Sequence, residues 1–139
     1  MTRRLTTVLS VFVILTPSLT AQSIPSPQQY FGFEMGSDRR LANWDELSSY
    51  YEELAESSQR VIVDTLGTTT TGQPFVMLTI TSPENHTRLA ELRDIQMKLA
   101  DPRMISSESE LDQLFDDGKA VAMITHGIHS TEVGPSQMA

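Results

Sequence analysis

The 139-residue chain contains no cysteine. That excludes disulfides, thiolate metal sites, a cysteine nucleophile and a lipid-anchored cysteine behind a leader. Basic residues are scarce, ten Lys and Arg against eighteen Asp and Glu, for a net charge of −8. Nucleic acids and anionic membrane surfaces are held by clustered basic side chains, so neither is an expected partner. Long apolar runs are missing too. A membrane-spanning helix needs about twenty apolar residues, and "VLSVFVIL" at residues 8–15 is far shorter. No membrane span is expected. Internal repeats and low-complexity tracts are absent as well. What is there, 39% apolar residues in 139, suffices for one domain with a single core.

The first 21 residues stand apart. Arg3 and Arg4 make a basic start, the apolar stretch follows, and Pro17 and Ala21 precede a polar segment. This is the layout of a secretory signal peptide cleaved after Ala21, although Leu19 is larger than the residue usual at its place. A secreted or periplasmic location follows. Residues 22–43, with two prolines and two glycines in "QSIPSPQQYFGFEMGSDRR", read as an irregular lead-in.

From Trp44 the pattern becomes periodic. Trp44, Leu47, Tyr51 and Leu54 recur at three and four, predicting a helix to about Ser58 with Asn43 and Glu46 as its capping box. The rings of Trp44, Tyr50 and Tyr51 belong to the core on this reading. "RVIVDTLG" and "QPFVMLTITS" read as two strands around the polar loop "TTTTG", an antiparallel hairpin. Val76, Leu78 and Ile80 share one face of the second strand, Phe75 and Met77 the other. Pro83 opens a helix striped by Leu89, Leu92, Ile95 and Leu99, which Asp101-Pro102 stops. Ser107 and Glu110 predict a further capping box, and Gly118 a left-handed end to that helix. Its acidic residues Glu108, Glu110, Asp112, Asp116 and Asp117 read as a solvated face. "AVAMIT" at residues 120–125 is apolar on both faces, as in a buried strand of a parallel or mixed sheet. Helices alternating with strands give an α/β fold class.

The segment after that run, "ITHGIHSTEVGP", holds the chemistry. Ligand sites of open α/β sheets lie where strands end. His129 and Glu132 stand three apart, so one turn can aim an imidazole and a carboxylate the same way, with Gly127 and Gly134 letting the backbone bend. A hydrolytic zinc takes three such donors and keeps a position for water, whose pKa it lowers to about 7. The spacing alone is a common accident, about one chance in five at this composition. His126 stands at H-x-x-H spacing to His129 as a candidate third ligand, but a small-loop or supporting role is favoured, and His86 reads as solvated. Asn85-His86-Thr87 has the form of a eukaryotic glycosylation acceptor.

"GIHSTEVGPSQMA" resembles the first metal-binding segment of the zinc metallocarboxypeptidase family. "VDTLGTTTTGQPFVMLTITSPEN" is similar to that family's opening hairpin, and "LANWDELSSYYEELAESSQRV" to the helix before it. "FGFE", "DRRLANWDEL" and "LADPR" resemble the large secreted bacterial members, and the likeness runs over residues 25–139. The resemblance implies that residues 44–139 are the N-terminal portion of a mixed-sheet catalytic domain, truncated in the helix after the motif. It further implies a zinc cofactor held by His129 and Glu132, and a peptide or protein substrate cut near its C-terminus. The family's third ligand, its catalytic Glu and its carboxylate-gripping residues lie farther downstream than Ala139, so the chain alone is expected to be inactive. Two positions depart from the pattern: Thr131 and Gln73 stand where the best-known members and the family hairpin, respectively, carry Arg. Two other readings share the motif. One is a zinc-dependent N-acyl amino acid deacylase of the same superfamily, in which small residues and Gly-Asn are expected where this chain has Ser130-Thr131. The other is a secreted non-catalytic binding domain.

Overall fold

The computed structural model describes residues 23–139 apart from 128 and 130. The expected leader therefore lies outside the described residues. Among the described residues, six α-helices, one 3-10 turn and one antiparallel strand pair make up a small mixed α/β assembly. No helix among the described residues is long and apolar enough to cross a membrane.

The core is built on α2 (Trp44–Ser57). Its start is the predicted box: the Asn43 side chain accepts from Glu46 N at 2.9 Å, and the Glu46 carboxylate accepts from Asn43 N at 2.8 Å. Asp45 and Glu46 in the first turn also suit the helix dipole. The buried face presents Leu47, Tyr50 and Tyr51, which with Ala42 form the central cluster. Leu54 and Trp44 pack against this cluster, partly buried.

The lead-in contributes more than a linker. Ser26 and Gln29 cap a short helix, α1 (Pro27–Phe31), which Gly32 ends at a φ of 73°. The Tyr30 and Phe31 rings lie 4.9 and 5.2 Å from the Tyr50 ring, and the Tyr50 hydroxyl donates to the Pro25 carbonyl at 2.9 Å. A composition rich in Pro and Gly conceals this, because the ordering comes from aromatic contacts with residues twenty positions away.

Strands β1 (Val61–Thr68) and β2 (Pro74–Ile80) form the expected hairpin. Val63, Val76 and Leu78 face the α2 cluster, whereas Phe75 and Met77 on the other face stay exposed. Ile80 differs from its neighbours in register, being 69% exposed at the end of the strand. A bulge between Thr65 and Gly67 puts Leu66 out of register.

The helix expected from Pro83 is two helices, α3 (Pro83–Thr87) and α4 (Leu89–Ala100). The break has a local cause. The Thr87 hydroxyl donates to the Glu84 carbonyl at 2.7 Å, and Arg88 N turns to Asn85 O at 3.1 Å. The tightened last turn ends the helix. A 3-10 turn (Pro102–Met104) then leads to α5 (Glu108–Asp117), which packs on α4.

The capping of α5 is half of the expected box. Ser107 Oγ accepts from Glu110 N at 3.1 Å, but the Glu110 carboxylate goes elsewhere, to Lys98 Nζ at 2.7 Å and Ser106 N at 2.8 Å. These bonds hold the Glu110 carboxyl below its ordinary value of 4.5. A lowered folded-state pKa stabilises above the unfolded value and is lost as pH falls through the folded one. Glu110→Gln is expected to flatten the acid limb of the stability profile below about pH 4.5, read by denaturant melts across that range. The N-cap bond survives the substitution.

Gly118 corrects a further expectation. It ends α5 in extended backbone, φ −69° and ψ 168°, so handedness does not select glycine there. Space does. A Cβ would lie 2.6 Å from the Leu114 carbonyl oxygen and 3.2 Å from Ile95 Cγ2. Gly118→Ala is expected to cost about 1–3 kcal/mol, measured by the shift in denaturation midpoint.

The largest departure is residues 120–125. They form no strand, and Val121, Met123 and Ile124 are 75%, 83% and 74% exposed. An apolar pattern specifies a segment that prefers to be covered, but a strand exists only when a neighbour accepts its backbone bonds. Here β1 and β2 pair with each other, and no third strand lies among the described residues.

Candidate metal-binding loop

The path to the loop starts at the α4–α5 pair. Gln96 Nε2 donates to Lys119 O at 2.6 Å, fixing where the chain leaves α5. Residues 120–127 then run exposed to Gly127, which turns the chain at a φ of 71°. That left-handed conformation favours glycine, and a Cβ would also sit 3.4 Å from Ser136 Oγ. Gly134, the other glycine expected to bend the loop, instead lies inside α6 (Val133–Met138).

His129 and Glu132 are brought together by the backbone between them. Glu132 N donates to His129 O at 3.0 Å, closing a four-residue turn. The Glu132 carboxylate accepts from His129 Nδ1–H at 2.8 Å. Both side chains are open to solvent, 69% and 49% exposed, so a dissolved ion reaches them without displacing core atoms. The i, i+3 convergence read from the sequence is present.

The donor set fits zinc as far as it goes. Two donors on a tetrahedral zinc lie about 3.3 Å apart for bonds of about 2.0–2.1 Å. The observed pair would have to open by about 0.5 Å and lose the shared proton. The same contact also fits a different division of labour, in which His129 binds through Nε2 and the carboxylate only orients the ring. Among the described residues no three His, Cys, Asp or Glu side chains converge. His126, three residues before His129, therefore does not complete the pair.

Other residues singled out in the sequence have plainer places. His86 is not solvated: both ring nitrogens are buried and without a hydrogen-bond partner. Asn85 of the acceptor triplet donates through Nδ2 to Thr81 Oγ1 at 2.9 Å, which engages the amide a glycan would need. Trp44 packs against the core with a buried Nε1 that no acceptor meets. The acidic residues Glu108, Asp112, Asp116 and Asp117 are exposed, and Glu110 alone of that group holds a cation, Lys98. Thr131 is exposed in the loop, and Gln73 closes the hairpin loop, its N–H donating to Thr69 Oγ1 at 3.0 Å.

A cleft of about 360 Å³ lies elsewhere, lined by Tyr30, Phe31, Asn43, Asp45, Glu46 and Ser49. Concavity alone would nominate it. However, its Asn43 and Glu46 are occupied in capping α2, and it holds no residue of the loop. Chemistry favours the exposed His–Glu turn. Comparison with protein-family models, with curated proteins and with solved structures found no match to this chain.

Proposed function

We propose that this chain is the N-terminal part of a secreted zinc metallocarboxypeptidase-type hydrolase, supplying two metal ligands, His129 and Glu132. The reading rests on one observation above all: a backbone-closed turn that holds an imidazole nitrogen and a carboxylate oxygen 2.8 Å apart in solvent. The resemblance of the motif, the hairpin and α2 to that family supports it, as does the leader-like start of the sequence.

A zinc bound by three protein donors makes water a nucleophile near neutral pH. The chain's own residues have a narrower task. The turn presents both donors on one side. Gly127 permits the reversal that brings the loop back over Ser136, and Gln96 anchors the approach. Among the described residues no third donor joins the pair, and a hydrolytic zinc takes three, so weak zinc binding without hydrolysis is the outcome this reading expects.

The test is a zinc titration of the full chain, with a hydrolysis assay on peptides bearing free C-termini alongside. Weak binding at one site, lost in His129→Ala, without hydrolysis, is the expected result. Hydrolysis that His129→Ala abolishes would overturn the claim of inactivity, and zinc binding indifferent to His129 would overturn the site.

A further inference from the structure

We draw no further inference here: the strongest candidate, the His86 imidazole of α3, whose two ring nitrogens are buried without a hydrogen-bond partner, carries nothing because nothing in the structure shows which charged groups face the ring, and neither a ligand nor a pH-dependent role follows from two buried atoms alone.

Discussion

His129→Ala takes zinc binding by the chain below detection, while Glu132→Gln separates the two roles its carboxylate can fill. The starting site has one imidazole and one carboxylate, and no third His, Cys, Asp or Glu converges on them among the described residues. Removing the imidazole leaves a lone exposed carboxylate, which holds zinc no better than any other surface acid. If Glu132 is itself a ligand, Glu132→Gln is as damaging as His129→Ala. If it only orients the ring through Nδ1, affinity falls about 10–100-fold, the range for an outer-shell partner. Isothermal titration with zinc, and the ligand-field spectrum of bound cobalt, read both variants. Equal binding by wild type and His129→Ala would remove the metal from the account. The loop would then be a polar turn whose His and Glu merely pair.

Tyr50→Ala has the largest effect expected on stability. Its ring is 8% exposed, sits 4.9, 5.2 and 6.4 Å from Tyr30, Phe31 and Tyr51, and its hydroxyl holds Pro25 O. Truncating a buried aromatic costs about 3–5 kcal/mol, a large part of the about 5–15 kcal/mol typical of a small domain. Tyr50→Phe keeps the ring and loses one bond, about 1 kcal/mol. Urea denaturation of both variants measures the split. If the two destabilise equally, the hydroxyl bond rather than the packed ring holds the lead-in against α2.

Local pattern was enough for the elements whose stabilising contacts are local. Asn43 and Glu46, three apart, cap α2 as their spacing says, and the alternation in 74–80 places Val76 and Leu78 inward. The His129–Glu132 approach was legible for the same reason, since one turn spans it. Four features were not legible, and each depends on something distant or competing. The order of the lead-in depends on Tyr50. The break at Arg88 depends on a Thr87 hydroxyl that competes for the Glu84 carbonyl. Residues 120–125 read as a strand because their composition is that of one, yet pairing is not a property of composition. His86 reads as polar surface, whereas both its ring nitrogens are buried in the fold.

The bond from Glu132 N to His129 O has a consequence for how a metal would assemble its shell. Closing a loop costs entropy that grows with the number of free residues between its ends. Here the backbone has closed it beforehand, so the second donor meets an ion held by the first at a very high local concentration. On the proposed reading, His129 and Glu132 would act as one chelating unit. On that reading, the ordering entropy still to be lost would lie in bringing up a third donor.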